Sequence, residues 1–353
     1  MMKKILVAGA LTYCLMQNPV YAEQATTHYF TDVKKDFWAA NDIYTLVNAG
    51  QMNSYDDGSF RPNSITTRGE AAAVIARTMG ISLESDFTLQ AVDVPTTHPY
   101  YKEIRKLAEL GIVQNNEWFQ PDEPLKRAHI AKMIALAYQI AIDNKNKANF
   151  KDLPKNYWAK QYIESLADVG IVTGKTKTTF EPNSYVTRAQ VAALTVRSMQ
   201  FVEKEKNLEV AYDYLAKDYI STVNDRKNWS KKCIEAVNKL REENGLKPLL
   251  YDAELEQLSV IKAQDMIQRS YFDHYSPYYG NPWDMATLFD YDYTSFGENI
   301  ARNFNSVETV VDAWMASPKH RDNILKTSYT HIGIGVKQAS NGNFYWVQLF
   351  SSK

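Results

Sequence analysis

The chain has 353 residues, with 40 basic against 41 acidic side chains. That length exceeds one ordinary core and implies two or more domains, while the balanced charge excludes a nucleic-acid binder of the usual basic kind. Only two cysteines are present, which excludes a scaffold built on disulfides.

In chain order, the first element is an export signal. Lys3 and Lys4 precede a mostly apolar run from Ile5 to Met16, too short to span a bilayer as a helix, and Val20-Tyr21-Ala22 ends in the small-residue pattern of a cleavage site. Residues 1–22 are expected to be removed, taking Cys14 with them. No other stretch is long and apolar enough to cross a membrane, so the mature chain is expected to be secreted and free of the membrane. An exported chain with one cysteine and no disulfide fits a Gram-positive envelope better than a eukaryotic secretory route. Cys233, spaced helically with Val237 and Leu240, reads as a small core hydrophobe.

A repeat of about sixty residues follows. Phe60-Arg61-Pro62-Asn63 recurs as Phe119-Gln120-Pro121-Asp122 and Phe180-Glu181-Pro182-Asn183, and Gly50, Gly111, Gly170 and Arg68, Arg127, Arg188 keep the same interval. Each unit reads as two helices. The first carries Ile43, Leu46 and Val47, then Ile104, Leu107 and Ala108, then Ile163, Leu166 and Ala167, and stops at the glycine. The second opens on Thr67-Arg68-Gly69-Glu70 or Thr187-Arg188-Ala189-Gln190, both capping boxes, whereas the middle unit has Lys126-Arg127-Ala128-His129 and loses the box. An arginine in the first turn opposes the helix dipole. Its presence in all three units suggests a ligand for each arginine rather than a structural task. Upstream, Asp32 precedes Trp38, Asp93 precedes Tyr100 and Asp152 precedes Trp158, so each unit combines an aromatic and an arginine near helix N-termini. Arginine grips carboxylates and an aromatic face packs on a sugar ring, so the implied ligand is an acidic sugar.

Phe-x-Asp-Val…Trp, Phe-x-Pro-Asn and Thr-Arg-Ala-Glu-like runs resemble S-layer homology (SLH) domains, here over residues 28–84, 88–144 and 148–201. The resemblance implies an all-α, pseudo-trimeric repeat bundle that binds secondary cell-wall polysaccharide, often pyruvylated, with the motif arginine on the ketal carboxylate. The implied binding residues are Asp32, Trp38, Arg68, Asp93, Tyr100, Arg127, Asp152, Trp158 and Arg188. The middle unit departs most from the pattern, through Lys126, His129 and Tyr100.

Residues 202–227 are charged, with a tyrosine-rich stretch from Tyr212 to Tyr219 that suits a tethered helix, and read as a linker. Residues 228–353 form the second folded part. A helix through Cys233, Val237 and Leu240 ends at Asn244-Gly245. Asp252 caps a helix with Leu255, Leu258, Ala263 and Met266, Ser306 caps one with Val310, Val311 and Trp314, and Ser317-Pro318 opens another. Ile332, Ile334 and Val336 alternate with glycines before an Asn341-Gly342 hairpin turn, and glycines on one strand face imply close approach by a helix or ligand.

Four segments here are similar to the CAP (SCP-like) family of bacterial type: Tyr271-Phe272-Asp273-His274-Tyr275-Ser276-Pro277, Gly297-Glu298-Asn299-Ile300-Ala301, Trp314 through Leu325, and His331-Ile332-Gly333-Ile334-Gly335. The resemblance implies an α-β-α sandwich with a cavity lined by two histidines and two acids. His274, Glu298 and His320 match three of the four; Met315, Ala316 and Ser317 stand where the second glutamate is expected, and His331 is a possible neighbour. Two imidazoles and a carboxylate suit weak zinc binding, on His274 and His320, or acid–base chemistry. No cofactor is required. Without Gly-x-Ser-x-Gly, His-Glu-x-x-His or a reactive cysteine, and with Ser276 better suited to a turn, binding of an unidentified ligand or protein partner is expected before turnover. The expected whole is a protein of a Gram-positive cell wall or S-layer, held to polysaccharide or peptidoglycan. The alternatives are a wall-tethered hydrolase and a structural S-layer component.

Overall fold

The computed structural model describes residues 30–353; the export signal read at residues 1–22 lies outside them. The chain divides into two compact units, the first ending at Val202 and the second beginning at Glu203.

Among the described residues the first unit holds helices in three pairs: α1 (Ala40–Asn48) with α2 (Arg68–Thr78), α3 (Tyr101–Glu109) with α4 (Arg127–Ala137), and α5 (Lys160–Asp168) with α6 (Arg188–Lys206). Ile43 and Leu46, Ile104 and Leu107, and Ile163 and Leu166 are fully buried, so the apolar stripes of the first helices face the core. Gly50, Gly111 and Gly170 take φ of 66°, 72° and 76°. That left-handed step turns the chain so that the next amide reaches back to the carbonyl of Leu46, Leu107 or Leu166.

The Phe-x-Pro element is a strained turn held by an aspartate. Arg61, Gln120 and Glu181 sit at φ of 58°, 60° and 60°, a conformation that costs a non-glycine residue about 1–2 kcal/mol. Asp32 accepts the amides of Phe60 and Arg61 at 2.9 and 2.7 Å, Asp93 those of Phe119 and Gln120 at 2.9 and 2.6 Å, and Asp152 those of Phe180 and Glu181 at 2.9 and 2.6 Å. Hydrogen bonds to a carboxylate contribute about 1.5–3 kcal/mol each and offset the strain. The turn then satisfies the next helix to arrive. Free amides at the N-terminus of α2 donate to Glu123 and Pro121 carbonyls of the second repeat, those of α4 to Ser184 and Pro182 of the third, and those of α6 to Ser64 and Pro62 of the first. Each repeat leans on the next, and the last returns to the first.

The second unit begins with a hairpin where a linker was expected. β1 (Val210–Asp213) pairs antiparallel with β2 (Asp218–Ser221), so the tyrosine-rich stretch is not helical. Asp213, 2% exposed, accepts the Tyr279 hydroxyl at 2.8 Å and the amides of Leu215 and Ala216, which closes the turn and ties the hairpin down. Gln257 donates to the Val210 carbonyl and to Thr222, and Lys337 pairs with Asp225 at 2.6 Å. The segment is stitched into the unit along its length.

After it come α7 (Lys227–Glu243), β3 (Leu250–Tyr251), α8 (Ala253–Gln268), α9 (Pro282–Leu288), β4 (Ser295–Arg302), α10 (Val307–Ala316), α11 (Pro318–Ile324), β5 (His331–Gln338) and β6 (Phe344–Ser352). The sheet runs β3-β5-β6-β4, which leaves β4 at an edge. One face packs Ile332, Ile334 and Trp346 against Cys233, Val310 and Trp314; the other packs Val347 and Leu349 against Leu255, Leu258 and Met266. A Cβ on Gly333 or Gly335 would run into the α8 backbone at Leu255–Glu256 or Ser259–Val260, so the glycines admit a helix. Asp252 and Ser306 cap α8 and α10 as expected, while Ser317 makes no side-chain cap to α11.

Candidate functional site

In the first unit, the fold pairs aromatics and arginines across repeats, not within them. A cavity of about 230 Å³ is lined by Trp38 of the first repeat, Arg127 and Ile130 of the second, and Phe180, Gln190 and Arg197 of the third. Another, of about 420 Å³, is lined by Arg68 of the first, Trp118, His129 and Lys132 of the second, and Trp158 of the third. Trp38 and Trp158 are 57% and 48% exposed. Tyr100 is half-buried against the N-terminus of α2, where it would contact a Cβ on Gly69.

The motif arginines do have a structural task, contrary to the expectation from helix electrostatics. Arg68, Arg127 and Arg188 donate through Nε to the carbonyls of Phe119, Phe180 and Phe60 at 2.8, 2.9 and 2.8 Å. Each guanidinium also lies 4.4–4.9 Å from the centre of that phenylalanine's ring. Arg127 and Arg188 are 8% and 2% exposed. The cation tolerated in each first turn is a clamp on the neighbouring repeat's Phe-x-Pro turn. Asp32, Asp93 and Asp152 are likewise committed to that turn. What remains for a ligand is both terminal guanidinium nitrogens of Arg68, one of Arg127, and the exposed tryptophans. Burial, and then the charges of Arg68, Lys126 and Lys132, hold His129 below the ordinary histidine pKa, so its ring is neutral at pH 7. Its Nδ1 is buried without a partner, and the ring lies 5.1 Å from that of Trp158.

In the second unit, His274 and Glu298 meet at the edge strand, and α11, which carries His320, is bonded to that strand. Glu298 stands in β4 itself, not in a turn before it, and His274 lies in the loop beyond the end of α8 at Gln268. His274 Nδ1 is 2.7 Å from Glu298 Oε1, with the carboxylate 2% exposed and the imidazole 53% exposed. Glu298 Oε2 is buried with no partner. His320 is on α11; its backbone carbonyl accepts from Asn299, whose own carbonyl oxygen accepts from Asn323. Asn323 also donates to the Glu298 carbonyl, which fixes the edge strand to α11.

The environment drives these groups apart. The bond to Glu298 raises His274 above its ordinary value, burial raises Glu298, and burial together with the His274 charge lowers His320. Lys262, unremarked in the sequence, is 1% exposed; it donates to the His274 carbonyl at 2.8 Å and to the Tyr271 hydroxyl at 3.0 Å, and its pKa is pushed down by burial. Asp265 accepts from Tyr271, Arg269 and Ser276 and organises the His274 loop. Leu258, Lys262 and Met266 share one stripe of α8, so a lysine on an apolar stripe was the available signal.

His331 is not a neighbour. It stands at the start of β5, separated from β4 by β6, and its Nδ1 is 2.8 Å from Thr330. Ser276 is fully buried; it donates to Asp265 and accepts the amides of Tyr278 and Tyr279, which makes it a turn-former. Cys233 packs on the sheet face opposite Glu298, and burial pushes its thiol up, away from thiolate chemistry. Among the described residues no group of three or more His, Cys, Asp or Glu side chains is arranged to hold a metal ion.

Residues 234–350 match the Cysteine-rich secretory protein family (CAP), and residues 29–72, 92–131 and 149–192 match the S-layer homology domain. The uncharacterized protein YkwD of Bacillus subtilis (strain 168) is 44% identical over 125 residues, 35% of this chain and 48% of that protein. An S-layer protein of Bacillus thuringiensis subsp. finitimus is 27% identical over 211 residues, 59% of this chain and 25% of that protein. Among solved structures, an extracellular protein containing a SCP domain from Bacillus anthracis str. Ames overlaps 38% of this chain and 46% of its own at 23% identity and a TM-score of 0.34. The chain thus spans about half of the first relative's length and a quarter of the second's. The chain carries S-layer homology repeats followed by a CAP domain.

Proposed function

We propose that the chain is a cell-wall-anchored surface protein. Its SLH repeats form a pseudo-trimeric bundle that binds an acidic, pyruvylated secondary wall polysaccharide without a covalent bond, and its CAP domain displays a site that binds a ligand or partner. The anchoring reading is carried by one observation: two cavities each combine an exposed tryptophan with an arginine whose Nε is committed to the fold while a terminal nitrogen is not. A tryptophan face packs on sugar carbons and a guanidinium grips a carboxylate. The matching experiment sediments the full chain with purified cell walls. The Trp38→Ala, Trp158→Ala double variant is expected to stay in the supernatant while keeping its fold; full retention on the wall would remove the basis of this reading.

For the CAP domain, binding is supported by Glu298 Oε2, an acceptor buried without a partner in the carboxylate that His274 holds through Oε1. Such an atom is costly to leave unmet and suits a ligand donor group or a bound water. Neither Ser276 nor Cys233 is placed as a nucleophile. A second reading, hydrolysis by water activated at the His274–Glu298 pair, draws on the split between the two histidine pKa values. Turnover of a peptide or wall-polymer library, abolished by Glu298→Gln, would establish it. Assembly of the purified chain into sheets would instead favour a structural S-layer role.

A further inference from the structure

The three repeats are built alike, but they do not leave their arginines alike. The third residue of each second helix is Glu70, His129 or Gln190. The cyclic arrangement sets each one against the arginine of the preceding repeat: Gln190 lines the cavity of Arg127, His129 that of Arg68, and Glu70 forms an ion pair with Arg188. Among the described residues, Arg68 donates only through Nε and keeps both terminal nitrogens for the cavity. Arg127 adds one terminal bond, to the Thr173 carbonyl at 3.0 Å, and keeps the other. Arg188 keeps none: Nε goes to the Phe60 carbonyl, one terminal nitrogen to the Asn53 carbonyl at 2.5 Å, and the other to the Glu70 carboxylate. The Arg188 side chain is 3% exposed and that of Glu70 18%.

Glu70 leaves its expected place to do this. Gln190 completes the capping box, accepting the Thr187 amide at 3.1 Å. In α2 only half the box forms: Thr67 accepts the Glu70 amide at 3.1 Å, and the Glu70 carboxylate is turned to Arg188.

We infer that Glu70 is a built-in plug: its carboxylate occupies on Arg188 the place that a ligand carboxylate takes on Arg68 and Arg127, so two of the three inter-repeat positions bind and the third is closed. The inference rests on the wall-anchoring reading and sets the number of its sites. A ligand at Arg188 would exchange one carboxylate for another and strand Glu70 as an unpaired, mostly buried charge, so no net gain remains. At the other two positions the facing residue is neutral. The Gln190 amide and the His129 ring can each donate to an incoming carboxylate instead of repelling it.

The test is calorimetric titration of the full chain with a monosaccharide glycoside carrying a pyruvate ketal. Wild type is expected to saturate at two per chain. Glu70→Gln, which installs the residue that repeat three already carries, is expected to reach three. Gln190→Glu is expected to fall to one by plugging the Arg127 cavity, and it carries the test alone if thermal unfolding shows that Glu70→Gln does not fold. Three sites in wild type, two in both wild type and a folded Glu70→Gln, or two in Gln190→Glu would overturn the plug and leave the anchor standing. No binding by wild type would overturn the anchor, and the plug with it.

Discussion

Replacing Arg127 by alanine separates the clamp from a surface ligand. An arginine that only waits for a sugar costs little when removed. Arg127 instead is 8% exposed, donates to the Phe180 and Thr173 carbonyls at 2.9 and 3.0 Å, and stacks 4.4 Å from the Phe180 ring centre. Two hydrogen bonds from a charged donor contribute about 1.5–3 kcal/mol each, and the ring contact adds about 1 kcal/mol. The terms share one side chain and are not additive, so the expected loss is about 3–5 kcal/mol. It should fall on the first unit alone. Urea unfolding of the full chain, followed by probes in each unit because two units need not unfold together, reads it directly. Trp38→Ala, at a 57% exposed site, should cost less than about 1 kcal/mol. A loss below about 1 kcal/mol for Arg127→Ala would refute the clamp.

Other consequences follow from particular residues. Glu181 holds φ of 60° under Asp152, so Glu181→Gly should stabilise the first unit by about 1 kcal/mol and Asp152→Ala should destabilise it by about 2 kcal/mol; the opposite order in urea unfolding would contradict the strained-turn account. Asp213→Ala should cost the second unit about 2–3 kcal/mol and open residues 210–221 to limited proteolysis, whereas an unchanged digest would mean that the hairpin is not tied down. His274 should titrate by NMR above 6.5 and His320 below it, and Glu298→Gln should bring His274 down. Because the folded value of His274 is raised, its stabilising contribution is complete below its unfolded pKa and fades as pH rises through the folded value; two histidines titrating together near 6.5 would contradict the pairing.

Local chemistry made much of this fold legible. The stops at Gly50, Gly111 and Gly170, the caps at Thr67, Thr187, Asp252 and Ser306, and the glycines of β5 each depend on a few neighbours in sequence, so composition and spacing suffice to read them. The closure of the repeats was not legible, because it is made by bonds such as Arg188 to the Phe60 carbonyl, 128 residues apart. Judged within one helix, the arginine had no task, and the aromatics were assigned to the wrong arginines. The β1–β2 hairpin was hidden by shortness: two strands of four residues, rich in tyrosine and charge, give too little alternation to outweigh a linker reading. At the CAP site His274 and Glu298, both named from the sequence, are joined by a hydrogen bond, while Lys262 was missed because a lysine on a helix reads as surface until Leu258 and Met266 on the same stripe prove to be buried.

The central claim is that the SLH unit holds the wall through carboxylate-bearing sugars. It is tested most directly by sedimenting the full chain with purified walls before and after mild acid removal of pyruvate ketals. Binding that is lost on treated walls, and that weakens at high salt in proportion to the arginine contacts, is the expected result. Undiminished binding to walls stripped of their ketals would contradict it.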